Sequence, residues 1–286
     1  MEKVVKVVDK ERGIVQVTTP DERWYTMQVE DPKTKLPVMQ YVPSVTWIAS
    51  YYPKGIGFMK WLAEHGWDES QAIKEAAGDR GSKVDTAVKL LLDGFPIAMD
   101  GSLINPSTGE PEPITLEEYQ AIMSFVDWYK ETTGGKKPKK VVVVAKDVVL
   151  WNRELGFAGT ADLILLIDGV LWLIDLKTSQ AVWPSHEIQV SAYKRTPQVE
   201  EIMRKVGVSE IRLAILQLGY RKNKTKAWKW TEIEDQFDLF LATRKIWAKE
   251  TEGQVPLQRD YPVSLSLENE TPEPAPALEA HAGATD

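Results

Sequence analysis

Apolar and polar residues alternate over most of residues 3–42, which is the pattern of strands with one buried face. Turn-forming residues interrupt the alternation at Arg12-Gly13 and again between Pro32 and Pro37. The pattern predicts three or four short antiparallel strands. We therefore expect residues 1–42 to form a small N-terminal β unit.

Helical spacing replaces the alternation after this unit. Pro43-Ser44 is typical of a helix start, and apolar residues recur every three or four positions over residues 58–67 and 81–92. Residues 94–114 are rich in Pro, Gly, Ser and Asn, which predicts a long loop, and residues 116–130 again have the pattern of an amphipathic helix. We expect a helical region between the β unit and the centre of the chain.

Strand-like apolar runs occupy the centre of the chain, at residues 141–151, 157–167 and 170–176. Asp168-Gly169 separates the last two runs, and Asp-Gly between apolar runs is a strong hairpin signal. The remaining pattern predicts a helix over residues 186–206, strands over residues 211–218 and 227–233, and a helix over residues 235–249. This order predicts an α/β fold with helices flanking a mixed central sheet, in a domain spanning residues 43–263.

Composition narrows the chemistry. The 286-residue chain is 43% hydrophobic and 27% charged, as in soluble globular proteins, and has no apolar run of the ~18–20 residues that a membrane span needs. The first residues lack the pattern of a signal peptide, so we expect a cytoplasmic protein without a membrane partner. Cysteine is absent, which excludes disulfides, thiolate zinc sites, iron–sulfur clusters and a cysteine nucleophile.

The net charge of −7 is unevenly distributed. Residues 264–286 hold five acidic residues and no lysine or arginine, and their lack of periodicity predicts a disordered acidic tail. Basic residues cluster at two places: Lys136, Lys137, Lys139 and Lys140, and then Arg221, Lys222, Lys224, Lys226 and Lys229. Such clusters are commonly solvated loops, so charge alone does not decide whether the partner is a nucleic acid.

The Asp168-Gly169 hairpin places two aspartates together. A two-residue turn pairs Leu163 with Ile174, and the next pair is then Asp162 with Asp175. Lys177 lies two residues further along the same strand and therefore points to the same face. Because opposed like charges are destabilising, a shared divalent cation explains the pair better than a solvated strand end does, although both interpretations remain open.

The following helix adds polar candidates. Gln189 and Tyr193 are spaced i, i+4 and so share one helical face near the same strand ends, although such residues are often ordinary surface residues. His186 is a candidate phosphate contact, with a structural or solvated histidine as the alternative. Trp151 and Trp183 flank the segment and are candidates for stacking on unpaired bases, with burial in the core as the alternative.

The segments Gly159-Thr160-Ala161-Asp162, Ile174-Asp175-Leu176-Lys177-Thr178-Ser179 and Gln189-x-x-x-Tyr193 together resemble the PD-(D/E)XK nuclease superfamily, in its RecB-like and phage-type exonuclease branch. The resemblance implies a restriction-endonuclease-like sheet with an N-terminal β and helical extension. It implies a Mg²⁺ or Mn²⁺ site, with one or two ions, formed by Asp162, Asp175 and Leu176. Lys177 would orient or activate the attacking water, and Gln189 and Tyr193 would help to position DNA.

The resemblance extends upstream with less specific motifs, at residues 41–46 and 80–85. Relatives often have a metal-binding histidine where this chain has Asp85, so Asp85 is a further candidate ligand; a surface acid on a helix is the alternative. Relatives also have a glutamate on the strand before the hairpin, and Asp147 occupies that place, with Glu154 as a nearby alternative.

These features lead us to expect a metal-dependent DNA exonuclease, encoded by a phage and acting in recombination, replication or repair on DNA with single-stranded ends. A phage recombination protein or a single-strand-binding protein is an expected partner. A structure-specific or nicking endonuclease is one alternative. A DNA-binding subunit that keeps the fold without catalysis is another.

Overall fold

The computed structural model describes residues 4–19, 22–222, 225–251 and 256. This part of the chain is a mixed α/β structure with six helices and three sheets. Its strands are β1 (Val4–Asp9), β2 (Ile14–Thr18), β3 (Arg23–Glu30), β4 (Pro37–Pro43), β5 (Ser102–Ile104), β6 (Pro111–Pro113), β7 (Val141–Asn152), β8 (Phe157–Ile167), β9 (Val170–Lys177), β10 (Ile211–Leu218) and β11 (Trp228–Ile233). Its helices are α1 (Val45–Ser50), α2 (Ile56–Leu92), α3 (Leu116–Gly134), α4 (Pro184–Lys194), α5 (Pro197–Val206) and α6 (Phe237–Thr251).

The central sheet is mixed, as the sequence predicts. Its strand order is β11-β10-β9-β8-β7, and only β9 and β10 run parallel. Alternate residues of its strands enter two separate cores, with α2 and α3 on one face and α1, α4, α5 and α6 on the other. Because both faces are covered, the strands of the hairpin are apolar at almost every position.

The N-terminal strands form the predicted antiparallel sheet, in the order β1-β2-β3-β4. Ile14, Tyr25 and Val42 pack against residues of β7 and β8, so this sheet shares a core with the central sheet. The Tyr25 hydroxyl also lies 3.1 Å from Thr160 Oγ1, two residues before Asp162. The N-terminal sheet therefore supports β8 close to the candidate aspartates.

Helix α2 is longer than the sequence predicts. The element consists of two helices that meet at Gly66, whose φ of 73° and ψ of 173° are non-helical, close to the predicted end of the first stretch at residue 67. The second helix begins well before the predicted residue 81. Residues 68–80 lie between the two predicted stretches, and most of their side chains are exposed. An exposed helical segment needs no apolar stripe, so periodicity gave no signal there.

Two other predictions need correction. Residues 94–114 are not only a loop, because β5 and β6 pair within them. The helix predicted over residues 186–206 is broken into α4 and α5, and Pro197 is the first residue of α5. Proline has no N–H and disfavours a helical residue before it, and Thr196 accordingly has extended angles, φ −120° and ψ 143°.

Ser44 begins the helical part as predicted, because its side chain accepts a hydrogen bond from the backbone N–H of Trp47 at 3.0 Å and caps α1. Among the described helices, none has the length and apolar character needed to cross a membrane. The predicted disordered tail, residues 264–286, lies outside the described residues.

Candidate active site

The β8–β9 hairpin has the predicted register up to its last pair. Leu163 pairs with Ile174, and Asp168 and Gly169 both have positive φ, as the two-residue turn requires. The ladder ends there, so the predicted direct pairing of Asp162 with Asp175 is wrong. Asp162 Oδ2 instead accepts a hydrogen bond from the backbone N–H of Leu176 at 2.8 Å. Two carboxylates held as a direct cross-strand pair would repel each other, which disfavours a further ladder pair.

Asp175 is the most enclosed acid of this site, with only 1% of its surface exposed. Its Oδ1 accepts a hydrogen bond from Gln189 Nε2 at 3.2 Å, and its Oδ2 lies 2.5 Å from Lys177 Nζ in an ion pair without hydrogen-bond geometry. Burial raises the pKa of Asp175 to about 6; Lys177 opposes this rise and the charge of Asp162 adds to it. Lys177 therefore shares a face with Asp175, as strand alternation predicts.

Gln189 and Tyr193 lie on one face of α4, and Gln189 links the Tyr193 hydroxyl to Asp175. Gln189 Nε2 donates both to Asp175 and to the Tyr193 hydroxyl, the latter at 3.0 Å. The Tyr193 ring lies against Gly159, where a Cβ would be only 2.4 Å from Tyr193 Cε1. The glycine of the Gly-Thr-Ala-Asp segment is therefore required for this packing. Both polar side chains are buried, so they form hydrogen bonds within the protein rather than with solvent.

Helix α2 brings Asp85 to the same site. Its Oδ2 accepts a hydrogen bond from Lys89 Nζ at 2.5 Å, whereas its Oδ1 is buried without a hydrogen-bond partner among the described residues. Burial raises the pKa of Asp85 to about 7, and the charge of Asp162 is the second cause. The interpretation of Asp85 as an ordinary surface acid does not fit this environment.

Lys89 is a member of the site that the sequence reasoning missed. Its Nζ bridges Asp85 and Asp147, so α2 and β7 are joined at this point. Burial alone would lower the pKa of Lys89, but the charges of Asp85 and Asp162 outweigh burial and raise it. The only signal in the sequence is the i, i+4 spacing of Asp85 and Lys89.

Of the two candidate acids on and after β7, the structure brings only Asp147 to the cluster. Asp147 has a φ of 49°, and its side chain contacts Lys89. Glu154 lies in the turn between β7 and β8. An aspartate tolerates positive φ better than most residues, so this irregular position suits Asp147.

The acids have an oxygen-only donor set. Within the described parts of the chain, no three histidine, aspartate or glutamate side chains lie close enough together to form a ready-made metal cluster. Lys89 and Lys177 contact the carboxylates instead. Asp85 Oδ1 is nevertheless buried without a hydrogen-bond partner in the described part of the chain, and Asp175 Oδ2 is buried with only the ion pair to Lys177. Hard oxygen ligands of this kind fit Mg²⁺ or Mn²⁺. Leu176 has no donor atom in its side chain, so only its backbone could take part.

His186 and the two tryptophans differ in accessibility. His186 Nδ1 lies 3.4 Å from the backbone nitrogen of Trp183, which donates to it. Burial, with the charges of Lys177 and Lys54, lowers the pKa of His186 to about 3, so this histidine is neutral at pH 7. Trp151 is only 4% exposed and is excluded as a stacking platform, whereas Trp183 is 57% exposed.

Comparison with models of known protein families gave no match, and comparison with curated protein sequences gave no significant match. The assignment of a function to this site therefore depends on its residues and geometry.

Proposed function

We propose that this chain is a metal-dependent DNA exonuclease with a restriction-endonuclease-like core of the RecB-like type. The observation that carries the proposal is the environment of Asp175, a buried carboxylate at the end of β9 that faces Lys177 and is held by Gln189. The charge of Asp162 reaches both Asp175 and Asp85, so acids from a helix and two strands act on one another. Acids that repel one another, with a buried Asp85 oxygen that accepts no hydrogen bond from the described residues, favour a cation.

Asp85, Asp162, Asp175 and the backbone of Leu176 would hold Mg²⁺ or Mn²⁺, as one or two ions. Such an ion neutralises phosphate charge and lowers the pKa of a bound water, which is the chemistry that phosphodiester hydrolysis needs. The chain has no cysteine, and a hydrolysis of this kind needs no side-chain nucleophile.

Lys177 supplies a fixed positive charge beside the acids. Burial alone would lower its pKa, but the charges of Asp175 and Asp162 outweigh burial and raise it. The amine is therefore protonated at pH 7, and we assign it to orienting the attacking water and stabilising negative charge on the phosphate oxygens. A protonated amine cannot act as the general base.

Gln189 and Tyr193 are positioning residues in this proposal. Because both are buried, we assign them to fixing the carboxylate of Asp175 rather than to contacting DNA, which revises the role implied by the family resemblance. Trp183 is the exposed aromatic residue next to α4 and suits stacking on an unpaired base.

The substrate that we propose is DNA with single-stranded ends, processed in the cytoplasm of a bacterial host during phage recombination, replication or repair. A recombination protein or a single-strand-binding protein is the proposed partner. A structure-specific or nicking endonuclease remains the second candidate, because the same acids would serve either activity.

Digestion of end-labelled DNA tests the proposal. Linear single-stranded and double-stranded DNA and a covalently closed circle are incubated with Mg²⁺, Mn²⁺ or EDTA. We expect metal-dependent loss of the linear DNA alone, abolished in Lys177→Ala and retained in Lys205→Ala, whose lysine pairs with Glu201 on the exposed surface of α5. Cutting of the circle would establish the endonuclease. DNA binding without cleavage under either metal would leave only the non-catalytic subunit.

A further inference from the structure

A cleft of about 280 Å³ lies beside the end of β9 and has no role in the site described above. Most of its polar lining comes from α2, α3 and the loops that follow β9 and β10: Arg80, Glu117, Thr178, Gln180, Tyr220 and Arg221. Met123 and Leu218 supply part of an apolar wall. The volume lies just below the ~300–1,000 Å³ range of small-molecule sites.

Two guanidinium groups share one carboxylate at this cleft. Arg80 Nη1 donates to Glu117 Oε2 at 2.8 Å, and Arg221 Nη2 donates to Glu117 Oε1 at 2.6 Å. The three side chains together carry a net positive charge. Each guanidinium group has five N–H donors in a planar fork, and this fork matches the oxygens of a phosphate.

Backbone and side-chain amides hold the opposite wall in place. Gln180 Nε2 donates to the carbonyl of Gly219 at 2.9 Å, and Gln180 Oε1 accepts from the backbone N–H of Arg221 at 2.8 Å. The N–H of Gly219 donates to Ser124 Oγ at 3.0 Å. These hydrogen bonds join the loop after β9, the loop after β10 and helix α3. The cleft is therefore formed before a ligand binds.

Some residues that line the cleft are next in sequence to residues of the candidate active site. Thr178 in its wall directly follows Lys177, and a Cβ on Gly81 would lie 3.6 Å from Thr178 Oγ1. The same stretch of α2 therefore carries Arg80 to the cleft and Asp85 to the acids. Thr178 and Lys177 are consecutive residues, so the lining of the cleft begins one residue from the lysine that we assign to the phosphate.

We propose that this cleft binds one deoxynucleotide of the DNA strand, next to the bond being cut. Its phosphate contacts the guanidinium groups of Arg80 and Arg221, and its base lies against the apolar wall of Met123 and Leu218. This inference rests on the nuclease function proposed above and gives it a nucleotide subsite.

Equilibrium dialysis with labelled dAMP in EDTA tests this subsite without catalysis. We expect saturable binding to the wild-type protein, weakened about tenfold in Arg221→Ala, which loses charge-assisted hydrogen bonds to the phosphate. Arg221→Lys keeps the charge but not the fork, so we expect an intermediate loss. Arg212→Ala is the matched control, because Arg212 is also exposed and pairs with a glutamate, Glu210, outside the cleft. Deoxyadenosine and inorganic phosphate should each bind about tenfold more weakly than dAMP.

Equal binding of dAMP to the wild type and Arg221→Ala, or no binding at millimolar dAMP, would overturn the subsite. Inorganic phosphate binding as tightly as dAMP would overturn the nucleotide assignment. These results are separate from the nuclease proposal, which the digestion assay decides. Metal-dependent cleavage without dAMP binding removes the subsite alone, and dAMP binding that is sensitive to Arg221→Ala without any cleavage removes the nuclease function alone.

Discussion

Helix α2 carries two buried lysines, Lys83 and Lys89. The ion clusters that they form differ in whether every buried acid oxygen has a partner. Lys83 Nζ lies 2.7 Å from Glu118 Oε1 and 3.2 Å from Glu112 Oε2, and the second oxygen of Glu118 accepts a hydrogen bond from Thr115 in the capping box of α3. Burial alone would raise the pKa of Glu118, but Lys83 and Thr115 outweigh burial and lower it. This cluster is satisfied internally.

The cluster around Lys89 and Lys177 is not fully satisfied. Asp85 Oδ1 is buried without a hydrogen-bond partner among the described residues, and Asp175 Oδ2 has only its ion pair with Lys177. Burial, together with the charge of Asp162, raises the pKa of Asp85 to about 7 and that of Asp175 to about 6. Buried ion pairs as such are therefore not a functional signal in this protein. Acids that the protein leaves short of hydrogen-bond donors are the signal, because another cation can satisfy them.

The largest expected effect is on DNA cleavage, which should depend on the cluster around Lys89 and Lys177 and not on the cluster around Lys83. Asp175→Asn removes a charged ligand, so we expect metal-dependent DNA cleavage to fall at least about 10³-fold, about 4 kcal/mol of barrier. Glu112→Gln changes the cluster around Lys83, so this variant should keep the wild-type rate of DNA cleavage per folded molecule. Initial rates on end-labelled DNA measure both variants. Similar losses in the two variants would remove the distinction.

The second prediction concerns the contribution of the Lys83 cluster to the stability of the fold. Lys83→Ala leaves Glu118 buried without its cation, so we expect the free energy of unfolding to fall by about 3 kcal/mol. Urea unfolding followed by tryptophan fluorescence measures the change, and the exposed Lys205→Ala should alter it by less than about 0.5 kcal/mol. A loss as small as that of the control would show that the cluster of Lys83 does not hold the fold.

The third prediction uses the pKa of Asp85. Its pKa is about 7 in the folded protein against an ordinary value of 3.8, so the folded state binds this proton more tightly than the unfolded state does. The free energy of unfolding without metal should therefore fall as the pH rises from about 4 to about 7. Asp85→Asn removes this loss, so in EDTA at pH 8 the variant should be more stable by up to about 4 kcal/mol.

Urea unfolding in EDTA across this pH range checks the prediction, and the difference between Asp85→Asn and the wild type should close toward pH 4. A difference that stays constant with pH would contradict the account. A variant that is less stable than the wild type at pH 8 would do so as well.

The smallest expected effect concerns positioning. Gln189→Ala removes the hydrogen bond to Asp175 Oδ1, so we expect kcat/KM to fall about tenfold and the Mn²⁺ concentration for half-maximal activity to rise. Gln189→Glu keeps the shape but adds a like charge and should be worse. An unchanged Mn²⁺ requirement in Gln189→Ala would assign the glutamine to structure alone.

The sequence predicted those parts of the site that depend on local rules. Asp168-Gly169 set the register of the β8–β9 hairpin, strand alternation placed Lys177 beside Asp175, and helical spacing placed Gln189 with Tyr193. The mixed sheet followed from the order of strands and helices in the same way. The hairpin register and the two side-chain placements follow from periodicity or turn chemistry between residues close in sequence.

The features of the site and fold that the sequence did not predict depend mostly on contacts between distant segments. Lys89 contacts Asp147, 58 residues away, and the position of Asp147 at a positive φ is not signalled by any pattern. The ladder ends before Asp162, whose side chain accepts a hydrogen bond from the backbone N–H of Leu176, and periodicity does not predict such a side-chain contact. The helical residues 68–80 of α2 were missed because most of their side chains are exposed and lack an apolar stripe.

Isothermal titration with Mn²⁺ tests the central claim most directly, because it compares the two clusters without requiring DNA. The wild type and Glu112→Gln should bind one or two ions with equal affinity, and Asp175→Asn and Asp85→Asn should each bind at least about tenfold more weakly. Mn²⁺ binding that is unaffected by Asp175→Asn and Asp85→Asn would contradict the claim that these acids form the metal site. Absence of binding in the wild type would contradict it equally.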